Sequence, residues 1–247
     1  MSARYKIDHA RLTVVLTSCG RFDLLKVTLD SFLSFFDPQR ILVGEDSGNA
    51  RGAAKFVAGA SRVIEMRVNA LKLGQMRSID GLYASVKTPY VVHLEDDWKF
   101  ASAVDLDNAV DFLENRPDIS VVCIGYRFDA RFARSARRIT HKGVDYLIWD
   151  LNTHPKWFSY SFNPSVGRIA FWREVGPFAR FVTEEGLSQF CKARGLRIAM
   201  LTPSVASHIG DKRHAFDPFQ PRRATTPIGR LKRSISKRWT RLRGRPT

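Results

Sequence analysis

Apolar and polar positions along the chain follow two alternating periods. Leu12-Thr13-Val14-Val15-Leu16 is a short β-branched run of the kind that forms a buried strand. Ser18-Cys19-Gly20-Arg21 then turns the chain. Apolar residues at 24, 25, 29, 32, 33 and 36 make a helical stripe, which Pro38 closes. The couplet recurs. Residues 41–43 predict a strand, Gly44-Glu45-Asp46-Ser47-Gly48-Asn49 a polar turn, and residues 53–58 a helix. Residues 63–66 predict a third strand and 74–86 a helix with Ile79, Leu82, Tyr83 and Val86 on one side. A fourth strand, 90–94, runs directly into Glu95-Asp96-Asp97-Trp98.

Strand and helix in alternation predict an α/β fold: a mainly parallel central sheet with helices on both faces. Ligands of such sheets bind beyond the carboxyl ends of the strands. The polar turns at 17–21, 45–49 and 95–98 would share that edge. Farther along, 103–115 reads as a helix and 119–124 as a strand. Residues 126–155 lose the pattern and read as a long basic insertion with Arg127, Arg131, Arg134, Arg137 and Arg138. Residues 166–171 and 196–201 predict strands, 182–194 predicts a helix, and Ser207-His208-Ile209-Gly210 ends the globular part. The expected organisation is one domain over 1–215, with a nucleotide-binding part at about 10–125 and an acceptor part at about 126–215. A basic, amphipathic tail over 216–247 follows.

Composition adds boundaries. Apolar residues make up 44% of the 247, enough for a real core. No run of eighteen apolar residues occurs and Met1 to Lys6 lack a signal-peptide stretch. Cys19, Cys123 and Cys191 show no metal or disulfide spacing, which suits free thiols in a reducing cytoplasm. The net charge of +16 is uneven. Ten basic residues lie at 222, 223, 230, 232, 233, 237, 238, 241, 243 and 245, with no acid after Asp217, so the rest carries +6 (16 − 10). Ile228, Leu231, Ile235, Trp239 and Leu242 fall on one face of a helix, with Lys232, Arg233, Lys237, Arg238 and Arg241 on the others. That pattern predicts an interfacial helix on anionic lipid. Its alternative is a disordered basic tail.

The candidate chemistry is acidic. Three adjacent carboxylates at the end of an apolar strand repel one another, and a cation would compensate them. Oxygen ligands suit Mg²⁺ or Mn²⁺, which share coordination with substrate phosphates. The alternative is a solvated turn in which Asp97 caps the next helix. Glu184-Glu185 opens a predicted helix; adjacent helical residues diverge by about 100°, so at most one faces a given site. Complementing the helix dipole is their plainer role. His208 gains weight as a ligand only where it meets Asp97 in space.

The ordered set Leu16-Thr17-Ser18-Cys19-Gly20-Arg21-Phe22-Asp23-Leu24-Leu25, Glu45-Asp46-Ser47-Gly48, His93-Leu94-Glu95-Asp96-Asp97-Trp98, Phe162-Asn163-Pro164-Ser165, Glu184-Glu185 and His208-Ile209-Gly210 resembles bacterial family 2-like glycosyltransferases. The likeness covers roughly 12–214. It implies a GT-A fold and a sugar-nucleotide donor, with UDP the commonest nucleotide. In its terms Asp46 contacts the base, with Ser47 beside it, and Thr17 and Arg21 pack around the nucleotide. Glu95, Asp96 and Asp97 form the metal motif, with Asp97 in direct contact and His208 completing the site. Glu185 or Glu184 is the catalytic base, and Arg77 and Asp80 contact the donor. The usual Asp-x-Asp is here Glu95-Asp96-Asp97.

The implied activity is a metal-dependent, inverting sugar transfer to a glycan or lipid-linked acceptor, in bacterial surface glycan synthesis. The cofactor is Mn²⁺ or Mg²⁺, and the place is the cytoplasm, peripheral at the inner membrane face through 228–242. A nucleotidyltransferase would need a phosphate-cradling Gly-rich loop, and neither GxGxxG nor GxxxxGK[ST] occurs. A basic nucleic-acid-binding protein is the third reading, though nucleic acid is not the expected partner.

Overall fold

A computed structural model describes residues 4–127, 135–211 and 213–220. In chain order the strands are β1 (Tyr5–Lys6), β2 (Leu12–Ser18), β3 (Phe36–Asp37), β4 (Ile41–Glu45), β5 (Ile64–Val68), β6 (Tyr90–Glu95) and β7 (Trp98–Phe100). They continue with β8 (Ile119–Cys123), β9 (Ala136–His141), β10 (Val144–Trp149), β11 (Ser165–Arg168), β12 (Arg197–Thr202) and β13 (Ala206–His208). The helices are α1 (Phe22–Phe35), α2 (Ala50–Ala58), α3 (Gln75–Tyr83), α4 (Leu106–Glu114), α5 (Ile169–Val175) and α6 (Glu184–Ala193).

A nine-stranded sheet in the order β5-β4-β2-β6-β11-β8-β12-β10-β9 forms the centre. Strands β5, β4, β2, β6, β8, β12 and β9 point one way; β11 and β10 oppose them. The sheet is therefore mixed but mainly parallel. Both faces are covered, as alternation along β2 requires. Leu12, Val14 and Leu16 pack with α1 and α4, whereas Val15 packs with residues of α3, α5 and α6. The predicted elements of the first half are all present, with ends within three residues of the expected ones.

Two expectations fail. Residues 136–149, read as patternless insertion, form the hairpin β9–β10 at the sheet edge, turning at Lys142-Gly143 with both φ positive. Arg137 and Arg138 obscured its alternation because β9 is an edge strand, where charge is tolerated and discourages further pairing. Residues 166–171 are not one strand: β11 stops at Arg168 and α5 begins at Ile169. Arg168 donates to the carbonyls of Ile119 (2.8 Å), Arg116 (3.0 Å) and Leu113, satisfying the end of α4. Arg131, Arg134 and the 228–242 face lie outside the described residues.

Candidate active site

The carboxyl ends of β2, β4 and β6 open into a cavity of about 670 Å³. The three polar turns meet there as expected. Thr17, Ser18, Cys19 and Arg21 come from the first, Asp46 from the second, and Glu95, Asp96 and Asp97 from the third.

A residue absent from the predicted site ties two of these turns together. Glu45, fully buried at the end of β4, accepts from Ser18 Oγ (2.7 Å), Gly20 N (2.8 Å) and Ser47 N (2.8 Å). Its signal was in the sequence: like Glu95, it is a carboxylate at the end of an apolar strand. Asp46 beside it orders the far wall. Its Oδ1 accepts from Asn69 Nδ2 (2.8 Å) and Leu73 N (2.7 Å), and its Oδ2 from Gly74 N (2.8 Å). Each carboxylate oxygen has about two acceptor sites, so Oδ2 keeps one for a ligand.

The acids after β6 have separate environments. Glu95 accepts from Gln75 Nε2 (3.0 Å) and Trp98 Nε1 (3.4 Å). Burial, and then the charges of Asp97, Glu184 and Asp96, push its carboxyl well above the usual range. Asp96 is buried against Arg21, Ser18 Oγ (3.2 Å) and Cys19 N (3.3 Å). Burial raises its pKa to about 6, opposed by the Arg21 guanidinium. Arg21 therefore serves the acids: it spans Asp96 and, through Nη1, Asp97 Oδ2 at 2.8 Å.

Asp97 and His208, predicted to meet, do meet. Strands β7 and β13 pair antiparallel with His208 opposite Trp98, and Ile209 N donates to the Asp97 carbonyl at 2.8 Å. His208 Nε2 consequently lies 3.4 Å from Asp97 Oδ2. Its Nδ1 is 2.9 Å from Asp211 Oδ1, which favours the tautomer that leaves Nε2 as the free lone pair. Gly210 is required here, because a Cβ on it would collide with the Asp97 carboxylate. Two ligands each about 2.1 Å from one ion stand about 3.0–3.4 Å apart. The Asp97–His208 pair and its Asp211 support thus fit a divalent cation. Among the described residues no cluster of three or more His, Cys, Asp or Glu is assembled for a metal. The pair would leave the remaining positions to phosphate oxygens and water.

The acid pair on α6 is resolved by orientation. Thr183 caps the helix, accepting from Gly186 N at 3.0 Å. Glu184 then points into the cavity, where it accepts from Ser161 Oγ at 2.8 Å. Burial raises its pKa, moderated by Ser161. Glu185 turns away to a half-exposed ion pair with Lys156 at 2.7 Å and does not line the cavity, so of the two expected acids only Glu184 faces it.

Three other predicted residues lie off the cavity. Asp80 accepts from Trp172 Nε1 (2.8 Å), Phe178 N (2.8 Å) and Ala179 N (2.9 Å), anchoring the 3-10 turn Phe178–Phe181. Arg77 stacks on Phe219 with its guanidinium carbon 3.6 Å from the ring centroid, beside a separate 160 Å³ pocket. Ser47 completes its own turn, its hydroxyl accepting from Asn49 N at 3.2 Å.

The chain does not leave the domain at Gly210. Residues 213–220 cross the cavity mouth as a strap. The Arg213 carbonyl accepts from Arg21 Nη1 at 2.7 Å, and its guanidinium pairs with Asp23. Asp217 Oδ2 accepts from Gln75 N at 3.0 Å, at the start of α3. Gly74, at φ +79°, lets that carboxylate approach; a Cβ would lie 2.7 Å from Asp217 Oδ1.

No family model matches the sequence, nor does any curated protein. Solved structures do match in fold. The mannosyltransferase PcManGT from Pyrobaculum calidifontis, in complex with GDP-Man and Mn²⁺, is 14% identical with a TM-score of 0.58, over 85% of this chain and 60% of that one. GalNAc-T7 with UDP, GalNAc and Mn²⁺ is 11% identical with a TM-score of 0.56, over 91% of this chain and 48% of that one. The 1–349 portion of S. aureus TarS in complex with UDP-GlcNAc is 11% identical with a TM-score of 0.54, over 83% and 62%. This chain thus spans about 60% of the length of PcManGT. The chain has the α/β fold of GT-A glycosyltransferases, with its acidic cluster at the carboxyl edge of the sheet.

Proposed function

We propose that the protein transfers a sugar from a nucleoside diphosphate to an acceptor hydroxyl, with inversion, as a family 2-like glycosyltransferase. One observation carries the reading: Asp97 paired with His208, and the half-buried Glu184, line a single cavity. Asp97 and His208 would hold a divalent cation, Mn²⁺ or Mg²⁺, which when bound neutralises the leaving diphosphate. Thr17 and the free site on Asp46 Oδ2 face the nucleotide. Lys72, which lines the same cavity, supplies positive charge to the phosphates. Asp96 orients Arg21, and Glu95, with its raised pKa, fixes Gln75 and Trp98.

Glu184 acts as general base. Its raised pKa keeps it basic enough to take the acceptor proton as the new bond forms, and Ser161 fixes its direction. The acceptor would be a glycan or lipid-linked hydroxyl in bacterial surface glycan synthesis. The basic 222–245 run would hold the enzyme at the anionic inner face of the membrane. No helix among the described residues is long and apolar enough to cross a membrane.

The test is turnover of UDP- and GDP-sugars with Mn²⁺, read as released nucleoside diphosphate. Wild-type protein should turn over at least one donor. Asp97→Ala should bind the nucleotide but not release product. Release of sugar 1-phosphate instead, with the nucleoside monophosphate transferred, would identify a nucleotidyltransferase and overturn the reading.

A further inference from the structure

Among the described residues, seven large apolar side chains are exposed, and five of them belong to one region. These are Leu71 (77% exposed), Leu73 (36%), Val182 (51%), Phe216 (51%) and Phe219 (50%). Leu73, Val182 and Phe219 line the same 160 Å³ pocket, Phe216 lines the mouth of the larger cavity, and Asp217 and Gly74 line both. Scattered single exposures are ordinary on any protein; a contiguous apolar rim beside a site marks an interaction surface.

We propose that this rim, built from the 71–73 loop, Val182 and the strap, inserts into a bilayer carrying anionic headgroups and seats the cavity mouth at the lipid–water boundary. Three observations select a membrane. Cations stand among the apolar groups: Lys72 Nζ is 5.6 Å from the Phe216 ring centroid and Arg77 stacks on Phe219. Apolar groups ringed by basic ones match the acyl boundary beneath anionic headgroups. The second is chain continuity. Gln220 lines the cavity mouth at this rim, and the sequence goes on to Arg222 and Arg223, with ten basic residues and no acid in 221–247. The third is backbone strain. Val182 is β-branched yet sits at φ 64° and ψ −41°, a conformation that such residues avoid. It holds an apolar side chain half-exposed at the rim, immediately before the Thr183 cap of α6.

The inference deepens the membrane location proposed above, and salt separates the two contributions. The basic tail acts through charge, which salt screens, whereas apolar insertion persists. The experiment measures binding of the full chain to neutral and to anionic phosphatidylcholine/phosphatidylglycerol vesicles at low and high salt. Wild type should prefer anionic vesicles at low salt and keep measurable binding at high salt. Leu71→Ser and Val182→Ser should each lower the high-salt binding constant about tenfold, as loss of one inserted apolar side chain implies, with circular dichroism unchanged. Unchanged binding in both variants overturns the rim, whether or not the tail binds. A lower melting temperature of Leu71→Ser without vesicles would mean that the chain's own 228–242 covers the rim. Loss of self-association, with no vesicle binding by wild type, would make a second copy the occupant. Either result overturns the proposal.

Discussion

Asp97 Oδ2 stands 3.4 Å from His208 Nε2, and the far nitrogen of the same imidazole is held by Asp211 at 2.9 Å. A carboxylate behind a histidine fixes its tautomer and raises its basicity as a ligand. Asp211→Asn should therefore raise the Mn²⁺ concentration for half-maximal activity by about tenfold. His208→Ala should raise it further, with a smaller loss of rate at saturating metal. Electron paramagnetic resonance of free Mn²⁺ provides a check independent of turnover. Identical Mn²⁺ binding in all three proteins would remove His208 from the metal site.

Glu184 and Glu185 are neighbours with opposite surroundings. Glu184→Gln should lower kcat by about 10²–10⁴-fold, the usual contribution of a general base, while leaving nucleotide binding intact. Glu185→Gln breaks only a half-exposed pair with Lys156 and should keep near-wild-type rates. The reverse pattern in single-turnover assays would transfer the role to Glu185.

Burial raises the Glu184 pKa from its ordinary 4.5, and this has two consequences of definite sign. As a base it must be ionised, so the acid limb of the kcat profile should lie above the ordinary glutamate range. For stability, a raised folded pKa contributes fully below the unfolded value and is lost as pH rises through the folded one. Relative to wild type, Glu184→Gln should thus become progressively more stable from acidic to neutral pH. Denaturant melts of both proteins across that window would expose a parallel pH dependence, which is the contrary result.

Glu45→Ala removes the common acceptor of three donors: the buried Ser18 hydroxyl, the half-buried Ser47 N and the Gly20 N at the exposed turn. At about 1–3 kcal/mol for a buried donor left without its partner, the fold should weaken by about that much, since the other two amides can reach water. Nucleotide affinity should fall with it, because two turns at the cavity lose their common anchor. Glu45→Gln should recover part of both. Urea unfolding that changes by less than about 1 kcal/mol would show that water replaces the carboxylate readily.

How far the sequence carried depended on whether a group's partners were local. The couplets of the first half were legible because each strand alternates or runs apolar and each helix stripes. Asp97 was legible for the same reason: it follows a buried strand. The hairpin β9–β10 was hidden because arginines on an edge strand resemble a solvated loop. The choice between Glu184 and Glu185 turns on one helical step and on Ser161, twenty-three residues away. Asp80 was expected at the donor from the resemblance; its three partners in the fold, Trp172, Phe178 and Ala179, are remote in the chain. The strap was illegible, since Asp217 differs in no local way from any turn acid until it reaches Gln75 N.

One guanidinium nitrogen, Nη1 of Arg21, donates both to Asp97 and to the carbonyl of Arg213. Opening the mouth and recharging the acidic centre therefore draw on the same group. A cation at Asp97 would compete with that nitrogen for the carboxylate, so the contact to the Arg213 carbonyl shares its donor with the place where an ion would bind. The acidic centre and the strap over the mouth are thus joined through a single side chain.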